Sequence, residues 1–95
     1  MNDEYSIKHF EVNFAECRYI GELYRELKNQ LALPDWCGEN LDALWDALTG
    51  IMYTPAEISI RKTTARKDIQ EYADSIVAVM QEAEEKYREI TVQIL

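Results

Sequence analysis

Asp42 and Asp46 lie one helical turn apart in the segment GENLDALWDALTG, residues 38–50, and Trp45 stands beside the second. Like charges at (i, i+4) on a helix repel and cost about 0.2–0.5 kcal/mol. Paired carboxylates can ligate Mg²⁺, divide acid and base work, or receive the cationic groups of another molecule. Trp36, a second large aromatic, precedes them in the loop PDWCGE. The first two chemistries lack companions. No glycine-rich phosphate cradle is present, and the only histidine, His9, falls in an expected strand, where it reads as structural or solvent-facing. No catalytic residue, metal site or cofactor is expected, and a cation-receiving surface is favoured over an enzyme.

Helical geometry groups these residues. Successive side chains turn by about 100°, so with Leu41 at zero, Leu44 and Leu48 fall within roughly 60° and form the expected buried stripe. Asp42, Asp46 and Thr49 cluster about 100° away on one exposed face, and Trp45 lies between the two groups at roughly 40°. Its ring can pack against the core edge and still border the carboxylates. The simpler alternative is a solvated acidic face with Trp45 in the core. Asp42, in the first turn, gains from the helix dipole, but Asp46 gains little of that. That alternative also leaves Trp36 without a role, whereas aromatics beside fixed polar groups are typical of binding surfaces.

The elements that must hold this patch follow from pattern. IKHFEVNF predicts a strand over residues 7–14. Ile20, Leu23, Tyr24, Leu27 and Leu31 have the spacing of an amphipathic helix, which must end before Pro34. Asn40 is the expected N-cap of the next helix and Gly50 its expected C′ residue. After Pro55, AEISI predicts a second strand, with Ile58 and Ile60 on one face. TTARKD is ambiguous and could form a short helix. Ile69, Tyr72, Ala73, Ile76, Met80, Ala83 and Tyr87 keep helical spacing to about Arg88, and ITVQIL closes as a strand. Strands separated by helices favour parallel pairing through right-handed crossovers. The expected fold is a two-layer α/β domain, a three-stranded parallel sheet with helices on one face. The other face is left to the polar residues of the strands.

Ninety-five residues, 47% of them apolar, suit one domain with its own core. No long apolar run suggests a membrane span. MNDEYSIKHF has neither the basic nor the apolar region of a signal peptide, so the expected compartment is the cytoplasm. Cys17 and Cys37 show no metal-ligand or C-x-x-C spacing and are expected to be free thiols. The formal charge of −8, from 18 acidic and 10 basic residues, argues against nucleic-acid and anionic-membrane partners. No Lys, Arg or His occurs between Lys28 and Arg61, a gap that holds Asp35, Glu39, Asp42, Asp46 and Glu57. The basic residues Arg61, Lys62, Arg66 and Lys67 then follow in a cluster. The acidic segment is therefore uncompensated in sequence, and it contains the carboxylate pair.

The string ELKNQLALPDWCGENLDALWDALTG, residues 26–50, resembles the barstar family, intracellular protein inhibitors of secreted barnase-type ribonucleases. The likeness continues more weakly through the Pro55-led strand, MQEAEE and EITVQIL, and so spans essentially the whole chain. It implies the three-stranded parallel fold expected above. It also implies a mechanism, in which the second helix and the loop before it plug the basic active site of a ribonuclease. The carboxylate of Asp46 would occupy a phosphate position, Asp42 would be a second contact carboxylate, and Trp36 would stack on the catalytic histidine of the enzyme. Gly38, Asn40, Trp45, Thr49 and Gly50 match further interface positions, and Glu82 matches an acidic contact in the last helix. The implied partner is one basic ribonuclease per inhibitor, and the free chain is expected to be a monomer.

The periphery departs from the family. Ile51 replaces an aromatic residue, Tyr53 and Lys86 replace acidic ones, Cys37 replaces a tyrosine, and Ala47 replaces a cysteine. The central acidic plug is kept, and the departures bear on which ribonuclease is bound. The alternative function is an acidic immunity or adaptor protein for a different basic protein.

Overall fold

The computed structural model describes residues 7–95. The chain runs β1 (Lys8–Asn13), α1 (Ile20–Leu31), α2 (Leu41–Gly50), β2 (Ala56–Arg61), α3 (Lys67–Tyr87) and β3 (Ile90–Ile94). The sheet order is β1-β2-β3 and both pairings are parallel. The α/β architecture is the one the alternation of strands and helices predicts.

Register explains the two faces. Val12 pairs with Ile60, Phe10 with Ile58, and Ala56 with Ile90, so the strands present one apolar face. Val12, Ile58 and Ile60 are fully buried there, in one cluster with Leu23, Leu27 and Leu31 of α1 and Ile76 and Met80 of α3. The opposite face carries the rows His9–Glu57–Thr91, Glu11–Ser59–Gln93 and Asn13–Arg61. These are polar throughout, as a sheet face without helices requires. His9 Nδ1 lies 2.9 Å from Glu57 Oε1 on that face, so the histidine is solvent-facing.

The helices pack unequally. α1 lies against β1 and α3 against β3, whereas α2 packs on α3. In α1 the predicted stripe is buried except for Ile20, which is 40% exposed at the first turn. In α3, Ile69, Ala73, Ile76, Met80 and Ala83 are buried as their spacing predicts, while Tyr72 is half-buried and Tyr87 exposed. The hydroxyls of Tyr24 and Tyr72 meet at 2.6 Å and join α1 to α3. Burial, then that bond, push the Tyr24 phenol well above its ordinary pKa.

Three local expectations need correction. TTARKD forms no separate helix, since Lys67 and Asp68 open α3 and the residues before them are irregular: Thr63 is buried, its hydroxyl donates to the Cys17 carbonyl at 2.9 Å and accepts the Ala65 N–H at 3.1 Å. These bonds tie the segment to the chain before α1 and hold it out of helical geometry. Gly50 is the last residue of α2 rather than its C′ residue, and Ile51 caps the helix in right-handed geometry. The left-handed caps fall instead to Ala32 (φ 56°) and Arg88 (φ 58°), at the ends of α1 and α3. Leu41 is only half-buried, and Ala47 joins Leu44 and Leu48 inside. Cys17 and Cys37 are free thiols, and both are buried. Burial, with Glu26, Glu22 and Glu16 nearby, raises the pKa of the Cys17 thiol.

Candidate functional site

The candidate site begins in the loop between α1 and α2. α1 stops at Leu31, and the Cys37 N–H donates to the Pro34 carbonyl at 3.1 Å to close a turn. That turn sends neighbouring side chains in opposite directions. Cys37 is buried, while Trp36 is 76% exposed. Lys28 secures the loop, since its Nζ donates to the Asp35 carbonyl and to Glu39 Oε2, both at 3.4 Å. Periodicity alone gives no hint of this positioning role. The available signal was that Lys28 is the last basic residue before the acidic gap.

Asn40 then starts α2 as expected. Its backbone is extended, and its Oδ1 accepts the Ala43 N–H at 2.7 Å. Loss of such a cap costs about 1 kcal/mol. A Cβ on Gly38 would come within 3.1 Å of Asn40 Nδ2 and 3.3 Å of Ala43 Cβ, so Gly38 keeps space for that cap. A Cβ on Gly50 would meet nothing within 4 Å, and the fold places no comparable demand there.

Along α2, Leu44, Ala47 and Leu48 are buried, and Asp42 and Asp46 project from the opposite side. Both carboxylates are exposed. The ion pairs among the described residues are His9–Glu57, Lys28–Glu39 and Arg66–Asp68, and none includes Asp42 or Asp46. Of the five acids in the cation-free gap, Glu39 and Glu57 are thus paired in space, while Asp35, Asp42 and Asp46 are not. Trp45 is half-buried. Its ring lies 6.0 Å from that of Tyr87, at a tilt of 52°, where α2 meets α3. The Thr49 hydroxyl donates to the Trp45 carbonyl at 2.8 Å. A cavity of about 150 Å³ opens at the end of α2 between Thr49, Gly50, Thr54, Tyr87 and Glu89.

Trp36, Gly38 and Asn40 thus lie in the loop before α2, and Asp42, Trp45, Asp46, Thr49 and Gly50 along α2 itself. Glu82 is exposed on α3, and among the described residues no hydrogen bond or ion pair joins it to α2. The departures Ile51 and Tyr53 are exposed just beyond the end of α2, Tyr53 by 69%. Lys86 reaches over the Trp45 ring, with Nζ 5.9 Å from its centroid.

This surface is exposed, acidic and flanked by aromatic rings, and comparison with known proteins gives the family of the chain. The family described as Barstar (barnase inhibitor) matches residues 7–95. The chain belongs to the barstar family. A relative in Bacillus subtilis (strain 168), named "Putative ribonuclease inhibitor YrdF", is 38% identical over 71 residues, 74% of this chain and 78% of the relative. Among the described residues of this barstar-family chain, no helix is long and apolar enough to cross a membrane. No group of three or more His, Cys, Asp or Glu among them could hold a metal ion.

Proposed function

We propose that this chain inhibits a small basic ribonuclease of the barnase type by seating α2 and the loop before it in the active site. The observation that carries the proposal is the pair Asp42 and Asp46. Both carboxylates are exposed opposite the buried side of α2, in no described ion pair, with exposed Trp36 in the preceding loop and half-buried Trp45 next to Asp46. A ribonuclease binds RNA phosphates, so its site offers cationic donors. A rigidly held carboxylate can accept several of these as charge-assisted hydrogen bonds.

The roles follow from position. Asp46, halfway along α2, stands in for a phosphate, and Asp42 supplies the second charge. Trp36 stacks on an aromatic or imidazole ring of the enzyme. Gly38 and Asn40 fix the start of the helix, and Trp45, Thr49 and Gly50 carry the contact surface toward α3. Glu82 adds an acidic contact outside the main patch. No group of the chain itself performs chemistry. The chain acts as one domain, in the cytoplasm, with one copy per enzyme.

The deciding experiment is inhibition of a panel of small guanyl-specific ribonucleases, barnase among them. Stoichiometric inhibition of at least one member, relieved by Asp46→Ala, is expected. Binding to an unrelated basic protein with no inhibition of any ribonuclease would favour an adaptor or an immunity protein of another class.

A further inference from the structure

Lys86 lies in the last turn of α3 and is exposed. Its ammonium stands 5.9 Å from the Trp45 ring centroid and 6.0 Å from that of Tyr87. The two rings form a notch with the cation over it, an arrangement favoured by the negative faces of aromatic rings. Glu82 is one turn earlier, in the Glu-before-Lys order that favours an (i, i+4) pair. Lys86 nonetheless belongs to none of the described ion pairs. The acidic face of α2 therefore ends, on its α3 side, in an unpaired positive charge over the residue next to Asp46.

We propose that Lys86 is a specificity-determining residue, selecting ribonucleases that present a carboxylate to the Trp45–Tyr87 notch and rejecting those that present a cation there. This inference rests on the inhibitory role proposed above. A partner that covers Trp45 must also cover the ammonium lying against it. A cation removed from water needs an anion or several acceptors in return, and its burial is otherwise costly. The rest of the partner face must be basic to receive Asp42 and Asp46. A cation opposite Lys86 would add like-charge repulsion to the lost hydration, whereas a carboxylate there turns the same burial favourable. Lys86 is thus a repulsive element set beside an attractive one, and discrimination between related enzymes requires that combination.

The test is a charge series on the full chain, comparing wild type, Lys86→Met and Lys86→Glu. Dissociation constants are measured for barnase and a panel of small secreted guanyl-specific ribonucleases at low and high salt. Met preserves packing over the rings and removes the charge. The enzymes should divide by sign. Those held tightest by wild type should lose about tenfold or more with Lys86→Glu, and those held weakly should gain about tenfold or more. Lys86→Met should fall between, and both shifts should shrink at high salt. If tight binding persists but both variants move every enzyme equally, or not at all, Lys86 only packs on the rings and the inference is wrong. If no enzyme binds wild type or either variant, the inhibitory role fails and the role of Lys86 fails with it.

Discussion

Helices α1 and α2 each carry two acidic residues four apart, Glu22 with Glu26 and Asp42 with Asp46, and the chain uses them in opposite ways. Glu22 Oε1 accepts the Arg18 N–H at 2.7 Å, and Glu26 Oε2 accepts the Asn13 N–H at 3.0 Å. Both bonds fasten the chain between β1 and α1, satisfying backbone donors that the strand and the helix leave over. Asp42 and Asp46 accept no described hydrogen bond and join no described ion pair. The charge spacing is identical, so repulsion within each helix is of the same order, a few tenths of a kcal/mol. In α1 that cost is offset inside the fold. In α2 the helix dipole favours Asp42 in the first turn, but no described hydrogen bond or ion pair offsets the cost at Asp46, which is what a surface held for a partner would show.

The largest effect expected from this contrast is at Asp46. Asp46→Ala should weaken inhibition by several kcal/mol, a magnitude taken from close charge pairs of the barnase–barstar complex itself. The loss should act mainly on dissociation, and the remaining binding should stay salt-dependent through Asp42 and Glu39. The free variant should melt no lower than wild type, because a repulsion has been removed. Glu57→Ala removes an equal charge from the open sheet face, where its partner is His9. Equal losses from the two variants, read by inhibition titration, would reduce the protein to a diffuse acidic surface and erase the contrast.

Trp36→Ala should come next. An indole 76% exposed contributes little to the fold, so the melting temperature should hardly move while inhibition weakens more than tenfold. A variant that unfolds would show that the ring is part of the core.

Glu26→Ala should reverse the pattern. It should lower stability by about 1 kcal/mol in urea titration, since the Asn13 N–H loses a charged acceptor, and leave inhibition unchanged. A loss of inhibition at full stability would place α1 in the partner surface.

The smallest effect expected is alkaline. Burial raises the pKa values of Cys17 and Tyr24 in the folded chain above their unfolded values, so the folded chain holds those protons more tightly. Their contribution to stability is complete below about pH 8.5, and it is lost as pH rises past the unfolded thiol and phenol ranges. The urea midpoint should begin to fall above about pH 8.5 and keep falling beyond about pH 10, and Tyr24→Phe should make the upper part of that fall shallower. An unchanged slope in Tyr24→Phe would detach Tyr24 from the effect.

Much of this was legible in the sequence because it depends on short-range chemistry. Helical spacing alone sets Asp42 and Asp46 opposite Leu44 and Leu48, and a side-chain amide three residues before a free backbone N–H makes Asn40 a cap. Alternation in the strands and the intervening helices lead to a three-stranded parallel sheet with one polar face. Tertiary structure alone decided which acids are spent and which stay free. Lys28 reaches Glu39 across the loop, His9 reaches Glu57 on the neighbouring strand, and the backbone of Asn13 claims Glu26. The same holds for Lys86 over Trp45, for buried Cys37 next to exposed Trp36, and for left-handed caps at Ala32 and Arg88 instead of Gly50. Periodicity records which way a side chain points along its own element. What it meets there is fixed only when distant segments pack, and that encounter decides whether a charge is held by the fold or left for another molecule.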